Sequence, residues 1–215
     1  MRDVQDHYFK QAKREGYRSR AAYKLLEIDE RKKILRSGQR VLDLGAAPGS
    51  WSQVAARRVG RRGEVIGVDL KLIDPSGVPE NVRFIECDLR EVSFEELGGI
   101  PFDVIVSDMA PDTTGDPFGD HHRSMRLCHD VLDRSAHWLK AGGNLVMKVF
   151  EGEAYRDLLD RVQNEFNKGK GFKPKASRNE SVEMFVVAHG YQGSSEIEEP
   201  GHPPLPPRKP SRGWD

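Results

Sequence analysis

Five short runs rich in aliphatic residues recur along the chain: Arg40–Leu44, Glu64–Asp69, Val82–Cys87, Phe102–Ser107 and Asn144–Phe150. Within each run the apolar residues are continuous rather than alternating, which marks strands covered on both faces. Helical or loop stretches separate most of the runs, so the order reads as strand–helix units feeding a parallel sheet. A sixth run, Val182–Ala188, follows a helical stretch near Glu153–Asn167. Upstream of the first run, after a polar arm, Ser19 stands as a cap for a helix over Arg20–Lys33. The apolar stripe of that helix uses Ala21, Leu25 and Ile28, with Ala22 and Leu26 widening it. No internal repeat is visible. From about Gln192 the chain turns acidic and then Pro-rich, with little to bury, so residues 192–215 are expected to be a disordered tail.

Charge changes this picture only locally. The 34 basic and 34 acidic residues cancel, but residues 1–40 carry 12 Lys/Arg against 6 Asp/Glu. Such a split hints at nucleic acid, although a solvated basic helix would look the same. A second basic stretch, Lys168, Lys170, Lys173, Lys175 and Arg178, contains no acid. With Lys10, Lys13, Arg14, Arg18 and Arg20 it is expected to flank a binding cleft and contact phosphates, where Tyr8, Phe9 and Tyr17 either stack on bases or sugars or pack on the domain. Cys87 and Cys128 have no partner at metal-ligand spacing, which favours a reducing compartment. No apolar run approaches membrane-spanning length. The opening residues Arg2, Asp3 and Asp6 suit neither a signal nor a transit peptide, so a cytoplasmic protein is expected.

Candidate chemistry begins where the first run ends, in Asp43-Leu44-Gly45-Ala46-Ala47-Pro48-Gly49-Ser50-Trp51. Small residues at a strand-to-helix turn let a ligand approach the backbone, at the strand ends where open α/β sheets bind. Gly45 and Gly49 are spaced differently from a dinucleotide fingerprint, and Pro48 removes one amide from a phosphate cradle. A nucleoside site fits better than a pyrophosphate site. The second run ends in Asp69 and the third in Cys87-Asp88. Those carboxylates suit ribose hydroxyls and an adenine amino group, respectively; either also suits a simple turn cap.

A second group of charges sits where charges seldom belong. Asp108 follows Val104–Ser107 directly, Lys148 interrupts Leu145–Phe150, and Glu183 interrupts Val182–Val187. Buried charges require partners, and these signs complement one another. Lys24, on the boundary of its helix's apolar stripe, offers a fourth member. Taken alone it reads as a snorkelling side chain, and the whole cluster could be a structural ion pair. Two lysines and two acids drawn together suggest tuned chemistry.

These residues resemble the FtsJ/RlmE-type 2′-O-ribose methyltransferases. The resemblance rests on DHYFKQAKREGYRSRAAYKLLEID (6–29), VLDLGAAPGSWSQVA (41–55), SDMAPDTTG (107–115), GGNLVMKVFEG (142–152) and SVEMFVVA (181–188). It spans roughly residues 3–191. It implies a doubly wound, Rossmann-like α/β sheet of seven strands, the last antiparallel and within the hairpin end that holds Val182–Ala188, with helices on both faces. It also implies one methyltransferase domain over 1–191, with 1–40 as basic arm and first helix. The family's Lys-Asp-Lys-Glu tetrad falls on Lys24, Asp108, Lys148 and Glu183, with Lys148 in the position of the general base. Its contacts to S-adenosylmethionine fall on Gly49, Trp51, Asp69, Asp88 and Asp108. The substrate it implies is a uridine 2′-hydroxyl in large-subunit ribosomal RNA, met within the ribosomal subunit. One departure is Asp112, where the family often has Asn.

Other functions remain distinguishable. Relatives acting on tRNA anticodon loops or mRNA caps share the tetrad, so the tetrad gives the reaction without the address. A nucleotide-dependent oxidoreductase is disfavoured by the turn GAAPGSW. A metal-assisted methyltransferase needs an acidic ligand cluster, and His121-His122 reads as a loop start or helix cap rather than a metal site. A non-catalytic RNA-binding module would explain the basic arm but leaves the lysine in the fifth run unexplained.

Overall fold

The computed structural model describes residues 2–177 and 181–193. The chain runs α1 (Arg2–Glu15), α2 (Ala22–Lys32), β1 (Arg40–Leu44), α3 (Ser50–Val59), β2 (Glu64–Asp69), β3 (Val82–Glu86) and β4 (Phe102–Ser107). It continues through α4 (Pro117–Trp138), β5 (Leu139–Phe150), α5 (Tyr155–Glu165), β6 (Phe166–Phe172) and β7 (Glu183–Tyr191). All seven strands form one sheet, in the order β3-β2-β1-β4-β5-β7-β6. Strands β3 to β5 pair in parallel, while β7 is antiparallel to both of its neighbours. The doubly wound expectation therefore holds, including the reversed strand at the hairpin end.

Continuous apolar strands fit because both faces are covered. Leu42, Leu44, Ile105, Leu145, Met147 and Val149 pack against α4 and α5, with Met125, Leu132, Leu158 and Val162 on the helices. Val41, Val104, Val106, Val146, Phe185 and Val187 face the other way, onto Leu25 and Ile28 of α2 and Val54 of α3. Burying one such aliphatic side chain is worth roughly 1.5–3 kcal/mol.

Several boundaries differ from the sequence expectation. The arm is a helix, α1, closed by a Schellman turn: Gly16 adopts φ 74° and the Tyr17 amide donates to the Ala12 carbonyl at 2.8 Å. Helix α2 begins at Ala22, and Ser19 is not its side-chain cap. The Ser19 hydroxyl accepts from the Ala21 amide and meets the Ser50 hydroxyl at 2.8 Å, tying the entry of α2 to the start of α3. The third strand stops at Glu86 and the fifth starts at Leu139. The last begins at Glu183 and extends to Tyr191. The helical stretch near Glu153–Asn167 is α5 followed by β6, a strand the pattern did not announce. The expected tail and Arg178 lie outside the described residues, apart from Gln192 and Gly193.

Candidate active site

The strand order reverses between β1 and β4, where an open parallel sheet leaves a crevice beyond its carboxyl ends. A cleft of about 310 Å³ lies there, within the lower range of small-molecule sites. Gly45, Asp69, Leu70, Asp88, Arg90, Asp108, Met109 and Asp112 line it. Gly45 adopts φ 73°, and a Cβ on it would stand 2.3 Å from Met109 Cγ. Only glycine lets the loop after β4 close over the loop after β1.

Asp69 caps the glycine turn and also lines the cleft. One carboxylate oxygen accepts from the Ala47 amide and the other from the Lys71 amide, each at 2.9 Å. It thus holds the glycine turn while facing the cleft, and each oxygen keeps a further lone pair. Asp88 is gripped by Arg90, whose Nε and Nη2 donate at 3.0 and 2.6 Å. That guanidinium holds the Asp88 carboxyl below its ordinary range.

Two expected cofactor residues do not line the cleft. Gly49 takes φ 102° at the start of α3, and the space its Cβ would need is bounded by Arg18 and Phe84 at 3.1 Å. Trp51 is 2% exposed. Its indole N–H donates to the Ala21 carbonyl at 2.8 Å, and its ring packs on Phe185 at 5.7 Å. Trp51 therefore braces α2 and β7, the elements that carry Lys24 and Glu183.

The four singled-out charges meet. Lys24 Nζ stands 2.7 Å from Glu183 and 4.0 Å from Asp108, and Lys148 Nζ stands 3.0 Å from Asp108 Oδ1. Lys148 also donates to the Asp108 backbone carbonyl. Side-chain exposure is 8% for Lys148, 11% for Glu183, 13% for Lys24 and 18% for Asp108, so the group is largely screened from solvent and meets the cleft through Asp108. Period-2 geometry explains the convergence: Val146 and Lys148 share one face of β5, and Glu183 and Phe185 share the same face of β7, beneath α2. Burial pushes the Glu183 carboxyl up, but Lys24, the Ser177 hydroxyl at 2.8 Å and Lys148 outweigh it and hold it low.

One acid quoted with the glycine turn had no expected role of its own. Asp43, on β1, is fully buried; the Ser52 hydroxyl donates to one oxygen at 2.6 Å and the other has no hydrogen-bond partner. Burial pushes its carboxyl up to about 7, against the Ser52 bond and with help from Asp108 and Asp69. The clue was an acid inside an apolar strand, the same signal that exposed Lys148.

The basic residues divide. Lys10, Lys13, Arg14 and Lys175 are exposed, but Arg18 turns inward and donates to the carbonyls of Pro48, Asp74 and Ser76. Lys168 and Lys170 lie on β6, beside the part of β7 remote from Glu183. Tyr8 and Tyr17 pack on Tyr23, which leaves Phe9, 62% exposed, as the arm's free aromatic ring. His121 donates from Nδ1 to the Phe150 carbonyl at 2.8 Å and accepts at Nε2 from the Ala154 amide at 3.1 Å. It holds the end of β5 against α4. The Cys128 thiol, buried beneath Lys148, is pushed up to about 12 by desolvation. Among the described residues no helix is long and apolar enough to cross a membrane.

Residues 17–191 match the model of the FtsJ-like methyltransferase family. A protein named ribosomal RNA large subunit methyltransferase E, from Nitratidesulfovibrio vulgaris (strain DSM 19637 / Miyazaki F), is 48% identical over 91% of this chain and 99% of its own length. A protein of the same name from Pseudomonas fluorescens (strain Pf0-1) is 44% identical, over 91% and 94% respectively. Among solved structures, a putative ribosomal RNA methyltransferase from Plasmodium falciparum superposes with a TM-score of 0.73 at 28% identity, covering 83% of this chain and 100% of that one.

Proposed function

Because the chain belongs to the FtsJ-like methyltransferase family, we propose that it methylates the 2′-hydroxyl of a uridine ribose in large-subunit ribosomal RNA, with S-adenosylmethionine as donor. The observation that carries this reading is the pairing of Lys24 with Glu183 and of Lys148 with Asp108, the last of which lines an acid-rich cleft. The names of the relatives support the ribosomal address. The substrate is met in the assembled subunit, and the protein works in the cytoplasm.

The cleft suits the donor by charge. Four carboxylates line it, Asp69, Asp88, Asp108 and Asp112, against the cations Lys71 and Arg90. Such a lining favours a nucleoside that carries positive charge and opposes a pyrophosphate. When bound, S-adenosylmethionine supplies an electrophilic methyl group. Asp69 takes the ribose hydroxyls of the donor, Asp88 the adenine edge, and Asp108 faces both the donor and the tetrad.

The residues divide the remaining work. Lys24 and Glu183, locked to each other, orient the substrate ribose. Asp108 fixes Lys148 through its carboxylate and its carbonyl. Lys148 Nζ receives the proton as the ribose oxygen gains the methyl group. An ammonium cannot accept a proton, so the general-base role requires Lys148 as the neutral amine at the moment of transfer. Exposed Lys13, Arg14 and Lys175, with Phe9, hold the RNA strand beside the cleft. Purified protein given methyl-labelled donor and large-subunit particles lacking the mark tests the whole reading. The label should appear in 2′-O-methyluridine; label on a base, or none from a folded protein that binds the donor, contradicts it.

A further inference from the structure

The outer edge of the sheet carries a cationic patch that the active site does not use. On β7 the residues Glu183, Phe185, Val187 and His189 alternate onto the face covered by α2, and β6 pairs Lys168 with His189 and Lys170 with Val187. Gly169 faces the other way, since a Cβ there would stand 2.6 Å from Val162 on α5. Lys168 and Lys170 therefore stand on the α2 face, both exposed. The carboxyl end of α2 reaches the same region: Lys32 Nζ lies 5.0 Å over the Phe172 ring, and exposed Arg36 follows the helix. Burial lowers the His189 imidazole, and the charges that lower it further are Lys168, Lys32 and Arg36. Among the described residues none of those three cations, nor Lys170, is in an ion pair.

We propose that this edge, Lys32, Arg36, Lys168 and Lys170 around His189, is a second docking surface for the phosphate backbone of RNA. The proposal rests on the substrate class proposed above. His189 is six residues along β7 from Glu183, about 20 Å at 3.3–3.4 Å per residue, so the surface grips RNA well beyond the nucleotide that is methylated. Chemistry favours phosphate over protein. Protein interfaces are depleted in lysine and centre on apolar anchors, whereas Lys and Arg neutralise the phosphates of a nucleic-acid backbone. Among the described residues the exposed large apolar side chains, Phe9, Leu70, Leu72, Ile100, Phe118 and Val182, lie elsewhere. The competing role for lysines on an edge strand is to block edge-to-edge pairing with another chain.

The test compares wild type with the variant Arg36→Gln/Lys168→Gln/Lys170→Gln, and with Arg61→Gln/Arg62→Gln/Arg156→Gln as a control of equal charge. Methyl transfer to large-subunit particles is followed across a salt series, with sedimentation to report the oligomeric state. The edge variant should remain monomeric if wild type is, keep its kcat and donor affinity, and show a several-fold higher KM. Its dependence of log KM on log salt should be shallower by about 2–3 units, roughly one per phosphate contact removed. Three results overturn the proposal: an unchanged KM and salt slope, an equal change in the control, or self-association of the edge variant with KM unchanged. Failure of wild type to label large-subunit RNA would instead overturn the proposed function.

Discussion

Lys148 was legible because a charge in the middle of Leu145–Phe150 has no solvent to face, and its partner Asp108 carries the complementary sign. Lys148→Arg keeps that charge but cannot release its proton. It should leave donor affinity intact and slow single-turnover transfer by at least about 10²-fold, the lower end of general-base contributions. Transfer near the wild-type rate would assign Lys148 to positioning alone. Asp69→Ala should weaken donor binding by about 1.5–3 kcal/mol, as expected for a hydrogen bond to a charged group; calorimetry showing equal affinity removes Asp69 from the site. Asp43 gives a pH signature. Its carboxyl is raised to about 7 in the folded chain, above its ordinary value. Between that value and 7 the unfolded chain has released a proton that the folded chain retains, so this group lowers stability as pH rises, until both states are ionised. Asp43→Asn, similar in shape and never charged, should flatten that decline in urea-unfolding free energies between pH 5 and 8. An identical slope in wild type and variant would mean that Asp43 ionises normally.

At the scale of elements, strands buried on both faces announced themselves and edge or surface elements did not. Strand β6 reads Phe-Asn-Lys-Gly-Lys-Gly-Phe. Its lysines and glycines break any apolar run because one of its edges has no neighbour in the sheet. Helix α1 was missed because its anchorage is slight, mainly Ala12 and Tyr8 against Tyr23. Ser19 has the chemistry of a helix cap, but its hydroxyl is directed to the next helix, a tertiary contact no local pattern contains. Gly49 and Trp51 belong to the same class. The turn that holds them was evident, yet only packing decides that the indole points to Ala21 and not into the cleft. Trp51→Phe keeps an aromatic ring against Phe185 and removes that bond. It should cost about 1 kcal/mol in unfolding free energy and lower kcat more than donor affinity, because Lys24 and Glu183 lose their brace. Equal kcat with reduced stability would make the tryptophan purely structural.

For the molecule as a whole, the doubly wound sheet does the gathering. The carboxyl ends of β1 to β4 and the loops after them bring Gly45, Asp69, Asp88 and Asp108 to one crevice, while β5, β7 and α2 gather Lys148, Glu183 and Lys24 around Asp108. Complementary signs in separate strands made this cluster readable before any fold was known. The inward turn of Arg18 was not readable, because a basic segment gives no direction to its individual side chains. The central claim is that this site places a methyl group on a ribose 2′-oxygen of large-subunit RNA, and such a methyl blocks alkaline cleavage of the adjoining phosphodiester. Alkali-resistant linkages should therefore be mapped in ribosomal RNA from cells with and without the protein. The account predicts that one resistant linkage, after a uridine of the large-subunit RNA, disappears without the protein and returns with wild type but not with Lys148→Arg. An unchanged set of resistant linkages in cells lacking the protein would contradict it.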